Sequence, residues 1–356
     1  MIHDLEDGTD RQLTRDRKFA DDPLWSPTGH ILYSSNRGGN INLWMIPASG
    51  GEPNQLTRGS GPDVPLGMTA DGRRLMYSEL QDIGQVKIAG IKGGGVRQLT
   101  VDERGRGAAA ISPSGKYVAF PAQEVDAVST TMNIYVMDRD GGNARKLTDD
   151  LSYKFLPRWS PDEKWIAYCA RPGSEPEDSS RVYIVEADKP GQPRLMGRGG
   201  YVHWFSPTEF VVYGLDATYK RSIDQPDCVK MSEDSVFVAP VLDGSYIAGH
   251  DWRMNRRGWW ITTAASFNTT GMANATRLTR GISPASFPPG TRSMYYVPLG
   301  TSKLRQIVLP GGADRVVSGD LPGLGIFFSI TGDGEEIAYT ENYRKTRFVI
   351  VEDVFN

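Results

Sequence analysis

The chain has 356 residues, of which 39% are hydrophobic, 10% aromatic and 23% charged, and its net charge is -3. This balance favours an ordinary globular protein over a disordered one, and it provides no wide basic field for nucleic acid. No run of about 18 apolar residues is present that could span a membrane.

The N-terminal residues already belong to a repeat. Met1-Ile-His-Asp-Leu is not a signal peptide, and the segment leads into Arg11-Gln-Leu-Thr14. Related tetrapeptides follow at Asn54-Gln-Leu-Thr57, Arg97-Gln-Leu-Thr100, Arg145-Lys-Leu-Thr148 and Thr276-Arg-Leu-Thr279, with weaker copies at Arg194-Leu-Met-Gly197, Val229-Lys-Met-Ser232 and Arg315-Val-Val-Ser318. Because the chain opens inside a repeat, we expect a mature form or a fragment of a longer protein.

A second motif opens each repeat: an aromatic or apolar residue followed by Ser-Pro-x-Gly or a degenerate version of it. The aligned positions are Ser26, Thr69, Ser112, Ser160, Ser206, Val241, Phe287 and Thr331. Their spacing runs from 35 residues (Ser206 to Val241) to 48 residues (Ser112 to Ser160). Repeats of this length, with short β-type runs between Gly, Pro, Asn and Ser turns, are typical of four-stranded propeller blades.

The repeats predict an all-β fold, an eight-bladed β-propeller in a single domain over residues 1–356, with seven blades as the alternative. The predicted blades lie near 15–57, 58–100, 101–148, 149–197, 198–232, 233–279, 280–318, and 319–356 together with 1–14. The short fifth blade is complete only if Tyr219 to Asp224 pairs with Val229 to Ser232. The chain ends without a Leu-Thr strand and begins with one, so we expect Asp10 to Thr14 to pair beside Phe348 to Val354 and complete the last blade.

Residues 133–148, Asn-Ile-Tyr-Val-Met-Asp-Arg-Asp-Gly-Gly-Asn-Ala-Arg-Lys-Leu-Thr, carry a family resemblance. The repeat resembles that of the TolB-type, WD-repeat-like β-propellers, which occur in bacterial TolB, in prolyl-oligopeptidase-type peptidases and in membrane kinases. This resemblance implies a bacterial binding propeller in the periplasm or elsewhere outside the cytoplasm, although a cytoplasmic location stays open. Oligogalacturonate lyase is a catalytic relative.

The opening strand of each blade is expected nearest the central channel. The residue two places before the aligned Ser is small in most repeats, but it is Arg158 in one and Trp204 in the next. Arg158 is expected either in a structural salt bridge or in contact with a ligand. Tyr201 and His203 follow on the neighbouring strand, and the three side chains could line a small pocket.

Function is expected on the face with the longer, more varied loops. Around the channel mouth on this face we place the candidates Asp22, Arg106 and Lys154. The segment 251–260 adds a cluster of Trp252, Arg253, Arg256 and Arg257, which could bind an anionic or sugar-like partner by charge-assisted bonds and stacking. The alternative is that its tryptophans begin a core strand while the arginines are solvated.

Motifs for chemistry are weak. His3, His30, His203 and His250 show no metal-ligand spacing, and there is no Gly-x-Ser-x-Gly elbow, so we expect no metal, no cofactor and no catalytic residue. The favoured hypothesis is a non-enzymatic module that binds a protein, a peptide or a small ligand, and not nucleic acid. The alternative is a propeller enzyme, a carbohydrate lyase or hydrolase, with its site at the channel mouth. Cys169 and Cys228 are expected to be buried free thiols.

Overall fold

The computed structural model describes residues 1–59, 61–125, 130–171, 180–191, 193–214, 217–225, 228–232, 237–241, 244–251, 258–270, 274–279, 285–288 and 291–354. Within these residues the protein is nearly all β, with 31 strands and a single short helix. The predicted fold class is therefore confirmed. No helix in the described residues is long and apolar enough to cross a membrane.

The strands are numbered along the chain. The first nine are β1 Ile2–His3, β2 Asp10–Arg11, β3 Ala20–Trp25, β4 His30–Gly38, β5 Asn40–Pro47, β6 Asn54–Gln55, β7 Asp63–Met68, β8 Arg74–Gly90 and β9 Val96–Gln98. The next twelve are β10 Ala110–Ile111, β11 Tyr117–Val125, β12 Thr130–Asp138, β13 Arg145–Lys146, β14 Tyr153–Trp159, β15 Trp165–Arg171, β16 Arg181–Glu186, β17 Arg194–Arg198, β18 Tyr201–Trp204, β19 Glu209–Tyr213, β20 Thr218–Ser222 and β21 Cys228–Ser232. The last are β22 Phe237–Val241, β23 Tyr246–Asp251, β24 Gly258–Thr263, then helix α1 Ala264–Thr270, β25 Thr276–Thr279, β26 Ala285–Ser286, β27 Ser293–Tyr296, β28 Lys303–Val308, β29 Asp314–Asp320, β30 Phe328–Ile330 and β31 Glu336–Glu352.

The chain divides into two compact units. Unit one comprises Met1–Ile83, Gln123–Thr131 and Tyr343–Asn356, and unit two comprises Gly84–Ala122 and Met132–Asn342. The long strands β8 and β31 each contribute residues to both units.

Unit two contains six groups of four strands in its described residues. Five are consecutive in sequence: β10–β13, β14–β17, β18–β21, β22–β25 and β26–β29. A short parallel pairing of Met132 in β12 with Tyr153 in β14 joins the first two groups into one sheet of eight strands. The sixth takes β30 and β31 from the last repeat and β8 and β9 from the second repeat. Buried apolar clusters lie between neighbouring groups, as when Ala110, Ile134 and Trp159 pack with Ile166 and Tyr168. The core of unit two is thus distributed between sheets that face each other.

Unit one contains the four-stranded sheet β3–β4–β5–β6 and the small pair β1–β2. Its third sheet is formed by β7, the first part of β8 and the last part of β31. Leu32 and Leu43 of the first sheet pack with Leu75 of the third, and all three side chains are fully buried.

The closing threonine of the repeat has a defined structural role. Its hydroxyl accepts a hydrogen bond from the backbone N–H of the residue fourteen places earlier: Leu43 to Thr57 at 2.9 Å, Val86 to Thr100 at 3.0 Å and Ile134 to Thr148 at 3.0 Å. A donor that the ladder would leave unpaired is therefore satisfied, which is why the Leu-Thr motif recurs.

The opening motif folds a tight turn in the same repeated way. The Ser160 hydroxyl accepts a bond from the Trp165 N–H at 3.0 Å and donates to the Asp162 carboxylate at 2.7 Å. Thr331 makes the matching bonds to Glu336 and Asp333. Gly334 completes this turn with φ of 76°, a left-handed conformation that favours glycine.

The predicted closure by the N-terminal strand is wrong. Asp10–Arg11 pairs with Ile2–His3, and the last part of β31 pairs with β8 instead. In the second and last repeats, the residues expected to turn between the second and third strands continue as strand, in β8 and β31. These two long strands therefore pair with each other instead of each folding back within its own repeat. The eight-blade count stays a prediction.

Two smaller expectations have clear outcomes. The fifth repeat is complete, because β20 and β21 pair from Thr218 opposite Ser232 to Arg221 opposite Cys228. Cys169 is buried in β15 as predicted, whereas Cys228 is exposed, so the expectation of two buried thiols is wrong for Cys228.

Candidate functional site

The opening strands of unit two surround a narrow cavity. It has a volume of about 70 Å³ and is lined by residues of β10, β14, β18, β26 and β30, among them Arg158, Tyr201 and His203. A space of this size holds about two water-sized groups. The structure thus brings together the three polar side chains that the sequence places on adjacent inner strands.

Arg158 is the charged group of this cavity. Its half-buried guanidinium donates to the Tyr201 hydroxyl at 3.3 Å and to the Pro157 carbonyl at 3.4 Å, and it lies 5.3 Å from the centre of the Tyr201 ring. Within the part of the chain that the structure describes, no carboxylate pairs with it. Of the two expectations for Arg158, the structural salt bridge is therefore not found among these residues. A partly desolvated cation without a counter-ion is unfavourable, and an anionic group would relieve this.

Bonds between neighbouring inner strands fix the walls of the cavity. The Trp159 indole donates to the Ala110 carbonyl at 2.9 Å, and the Trp204 indole donates to the Arg158 carbonyl at 3.2 Å. The Ser329 hydroxyl donates to the Ile111 carbonyl at 3.3 Å. Each bond ties one strand group to the next, so the Arg158 backbone is held before any ligand arrives.

His203 is neutral in this cavity. Burial, and next the positive charge of Arg158, lower the pKa of His203 from 6.5 to about 4, although a hydrogen bond to the Pro240 backbone opposes the shift. Proline has no N–H, so the imidazole is the donor in that bond. The ring also packs edge-on against Phe287, with the ring centres 5.7 Å apart. A neutral imidazole places no second positive charge beside Arg158.

A wider pocket adjoins the cavity. It has a volume of about 500 Å³ and shares His203, Trp204, Phe287 and Pro288 with the narrow cavity. Its other walls come largely from turns after opening strands, including Pro161 and Pro207. This volume lies in the usual range for ligand pockets, and its lining is rich in aromatic residues and proline. Short turns thus border the larger space, whereas function was expected on the face with the longer loops.

Two candidates expected at the mouth are buried inside their own loops. The Lys154 side chain is fully buried, and its ammonium donates to the Asp150 carboxylate at 2.8 Å and to the Asp150 and Ser152 carbonyls at 3.2 Å. Burial disfavours the charged Asp150 carboxylate, but bonds from Lys154 and Ser152 outweigh it and lower its pKa. The expectation that Lys154 faces the channel mouth is wrong.

Arg106 repeats the arrangement one group earlier. Its guanidinium donates to the Asp102 carboxylate at 2.5 Å and to the Gly84 carbonyl at 2.9 Å, and burial lowers its pKa. Bonds from Arg106 and Arg104 overcome the effect of burial on Asp102 and lower its pKa to about 2. Gly84 is required at this approach, because a Cβ there would lie 2.7 Å from the Arg106 Cβ. Arg106 is also buried rather than placed at the mouth.

The remaining candidates lie elsewhere. Asp22 is exposed in unit one, where its carboxylate accepts a bond from the Ser34 hydroxyl at 3.4 Å. Trp252, Arg253, Arg256 and Arg257 lie outside the described residues. In the described part of the chain, no group of three or more His, Cys, Asp or Glu side chains could hold a metal.

Sequence reasoning missed Trp159 and Phe287 as parts of this site. Trp159 was counted only as the aromatic residue of the opening motif, and Phe287 as a degenerate copy of that motif. The usable signal is position, because Trp159 directly follows the channel-facing Arg158, and Phe287 lies two residues after Ala285, the equivalent position of its repeat.

Comparison with known proteins supports the fold. No model of a known protein family matches the sequence. The uncharacterized peptidase YuxL of Bacillus subtilis is 24% identical over a stretch that covers 38% of this chain and 27% of that protein. The chain thus matches little more than a quarter of the length of this curated relative.

Two solved structures are similar. A protein assigned as TolB from Agrobacterium tumefaciens superposes with a TM-score of 0.52 at 16% identity, covering 74% of this chain and 99% of that one. A puromycin-hydrolyzing peptidase of Mycobacterium tuberculosis gives a TM-score of 0.48 at 14% identity, covering 87% of this chain and 55% of that one. The chain has the fold of a TolB-type β-propeller, as the repeat predicts.

Proposed function

We propose that this TolB-type propeller is a non-enzymatic binding module, and that the cavity of unit two receives an acidic group of a protein or peptide partner. The observation that supports this proposal is Arg158, a half-buried guanidinium with no carboxylate partner among the described residues. A carboxylate in the cavity would supply the missing counter-charge and accept a charge-assisted hydrogen bond.

The adjoining pocket suggests the shape of the partner group. The narrow cavity of about 70 Å³ has room for a carboxylate and little more, whereas the neighbouring space of about 500 Å³ has apolar walls from Phe287, Pro207 and Val241. A carboxylate attached to an apolar side chain would use both spaces. The C-terminal residue of a peptide has this chemistry, and so does a small apolar acid.

The test compares matched ligands. We expect the peptide Ala-Ala-Leu with a free C-terminal carboxylate to bind, as measured by calorimetry. Its C-terminal amide should bind at least about tenfold more weakly. N-acetylleucine and its amide form the small-molecule arm and show whether the peptide backbone contributes. Equal affinity for the acid and the amide would remove Arg158 from the binding site.

A variant pair links the effect to the residue. Arg158→Gln is expected to abolish the preference for the acid, because it removes the charge while keeping a hydrogen-bond donor. Arg73→Gln, at an exposed arginine of unit one, is the matched control and should leave the preference unchanged. Circular dichroism of both variants checks that folding is retained.

A propeller hydrolase or lyase is the second candidate. It is supported by the convergence of Arg158, Tyr201 and His203 on one cavity and by the neutral imidazole, which can accept a proton. The pKa of about 4 makes His203 a weak base at neutral pH. Turnover of a peptide p-nitroanilide or of an acidic oligosaccharide, lost in His203→Gln, would favour the enzyme over the binding module.

We place this module outside the cytoplasm, in the periplasm of a bacterium. This location is supported by the TolB-type resemblance of the repeat and agrees with a binding function between envelope proteins. Fractionation of the source cells, with an antibody against the chain, tests it; recovery of the protein with cytoplasmic markers would contradict it.

A further inference from the structure

A pocket of about 430 Å³ is lined by β17, by the end of β20 and by the turn that follows β20, all in unit two. Its lining includes two arginines, Arg194 and Arg221, and one carboxylate, Asp224. Its apolar walls come from Leu195, Met196 and Ile223. None of these residues lines the channel cavity. The pocket therefore brings two guanidinium groups together at a second place in the unit.

Arg221 stands where the preceding repeats carry a buried apolar residue. In each repeat this residue directly follows the one that pairs with the first position of the closing motif. In the four preceding repeats it is Ile46, Ala89, Met137 and Val185, all buried. In the fifth repeat Lys220 pairs with Val229, so Arg221 takes this position. Packing alone favours another apolar side chain there, and the arginine is a departure from the repeat.

The fourth repeat departs from the pattern at the place where the Arg221 guanidinium lies. Its closing motif ends in Gly197 instead of threonine. A Cβ at Gly197 would lie 2.6 Å from Arg221 Nη2 and 3.1 Å from Cζ, so a larger residue would displace the guanidinium. Gly197 also has a φ of 134°, which favours glycine. The two departures are thus coupled, because the glycine makes room for the arginine.

The Arg221 side chain has no hydrogen-bond acceptor and no carboxylate partner among the described residues. Its Nε is buried without a partner, and the residue as a whole is half-buried. Asp224 lines the same pocket but is exposed, so water screens its charge. A partly desolvated guanidinium without a counter-ion is unfavourable, and an anion at its Nη groups would relieve this.

Arg194 adds a second positive charge that the repeat itself holds in place. Like Arg97 and Arg145 at the same motif position, Arg194 donates through Nη2 to a backbone carbonyl of the next repeat, here that of Ile223. Its guanidinium also lies 5.5 Å from the centre of the Trp165 ring. Its Nε and Nη1 have no acceptor in the described part of the chain, so they remain for a ligand.

We propose that Arg194 and Arg221 bind the phosphate group of a small phosphate monoester, whose organic body lies along Leu195, Met196 and Ile223. A phosphate monoester carries a charge of about -1.5 to -2 at neutral pH, which matches two guanidinium groups better than the single charge of a carboxylate. Its terminal oxygens accept bidentate hydrogen bonds from arginine. A pocket of about 430 Å³ also has room for a body beyond the phosphate. This inference does not depend on the channel of unit two, so the two proposals can fail separately.

Calorimetry with matched ligands tests the ligand class. The Arg158→Gln variant is used, so that the channel cation does not contribute. We expect phenyl phosphate to bind, inorganic phosphate to bind at least about fivefold more weakly, and benzoate at least about tenfold more weakly. Equal affinity for benzoate would overturn the phosphate assignment, and equal affinity for inorganic phosphate would show binding of an adventitious ion only. Absence of binding by phenyl phosphate would overturn the proposal outright.

Variants of Arg221 link the binding to the residue. Arg221→Met restores the residue type found at Met137, so the chain should keep its far-ultraviolet circular dichroism while its affinity for phenyl phosphate falls by about tenfold or more. Arg221→Lys keeps the charge but loses the planar fork, and its affinity should lie between the two. Arg198→Met is the matched control, because Arg198 is exposed on β17 but does not line the pocket. Full affinity in Arg221→Met, or an equal loss in Arg198→Met, would overturn the proposal.

The Arg221 Nε–H group gives a measurement at the residue itself. Its nitrogen-15 NMR signal is the one that Arg221→Met lacks, and burial of the Nε should slow its hydrogen exchange enough for it to be observed. Phenyl phosphate should shift this signal at the concentrations at which calorimetry reports binding. A signal that stays unchanged while phenyl phosphate binds would place the ligand elsewhere on the chain and overturn the proposal.

Discussion

Unit two completes every strand group in its described residues, whereas unit one leaves one sheet with three strands. The difference arises in the second and last repeats. In the first repeat, the chain turns at Gly39 between β4 and β5, where Gly39 has a φ of 108°. The equivalent stretches, Leu80 to Gly84 and Glu341 to Arg344, lack such a turn and continue as strand, giving β8 and β31 seventeen residues each. A repeat therefore specifies its strands but not which repeat supplies their partners.

The units also differ in the charges that they bury. Unit one buries the carboxyl of Asp63, and burial, opposed by the Thr57 hydrogen bond, raises its pKa to about 6. Unit two holds His203, with its pKa lowered to about 4. Each group disfavours its charged form, but one is an acid and the other a base. Stability should therefore respond to pH in opposite directions in the two units.

The largest expected effect comes from the core of unit two. Phe210→Ala removes a fully buried ring that lies 4.7 Å from Trp204, centre to centre, and should lower the free energy of unfolding by about 3–5 kcal/mol. Phe348→Ala in unit one is the matched control and should change it little, since that ring is 72% exposed. Urea unfolding measures both variants. A loss below about 1 kcal/mol for Phe210→Ala would mean that unit two is not packed as described.

The second effect is acid destabilisation of unit two by His203. In the unfolded chain a histidine protonates near pH 6.5, whereas His203 in the folded chain protonates at about 4. Between these values the unfolded state binds more protons, so stability falls as the pH drops through this window, by about 3 kcal/mol in total. Hydrogen exchange of amides in β18 and β19 measures it. His203→Gln should flatten this pH dependence, and an unchanged slope would assign it to another group.

Asp63 should give unit one the opposite slope. Its carboxyl has a pKa of 3.8 when unfolded and about 6 when folded, so between these values the folded state binds more protons. The stability that this group contributes is present below pH 3.8 and is lost as the pH rises through about 6, by roughly 2–3 kcal/mol. Asp63→Asn keeps an acceptor for Thr57 and should remove the slope. Hydrogen exchange in β4 and β5 reports on unit one, and a slope that persists in the variant would contradict this assignment.

The fold was largely predictable because its determinants are local. The turn at Ser160 and the bond from Ile134 to Thr148 each involve residues within about fifteen positions, so the repeat reveals them directly. The closure of the last repeat was not predictable in this way. Whether β31 pairs with Asp10–Arg11 or with β8 depends on contacts hundreds of residues apart and on a turn that fails to form.

The candidate site was likewise predictable only in part. Arg158 stood out because it breaks a run of small residues at equivalent positions, and its neighbours Tyr201 and His203 do reach the same cavity. Lys154 and Arg106 share its residue type but not its environment. A carboxylate four residues earlier, Asp150 or Asp102, pairs with each of them. Sequence alone shows this spacing but not that the loop folds back and buries the cation.

The smallest effect tests whether the closing threonine of the repeat has the same structural role in both units. Thr148→Val in unit two removes the acceptor of the Ile134 N–H and should lower the free energy of unfolding by about 1–2 kcal/mol, because a buried donor is left unpaired. Thr148→Ser keeps the hydroxyl and should recover most of this loss.

Thr57→Val in unit one should destabilise by a similar amount through the Leu43 N–H, but with an added consequence. The Thr57 hydroxyl also donates to the Asp63 carboxylate at 2.5 Å and holds down its pKa, whereas Thr148 donates to the neutral side chain of Asn133. Thr57→Val should therefore move the pH response of unit one above pH 6, while Thr148→Val leaves the pH response of unit two unchanged. Carboxyl titration of Asp63 by NMR measures the shift. If both variants left their pH profiles unchanged, the hydroxyl would serve only the strand ladder, and the difference between the units would lie in burial alone.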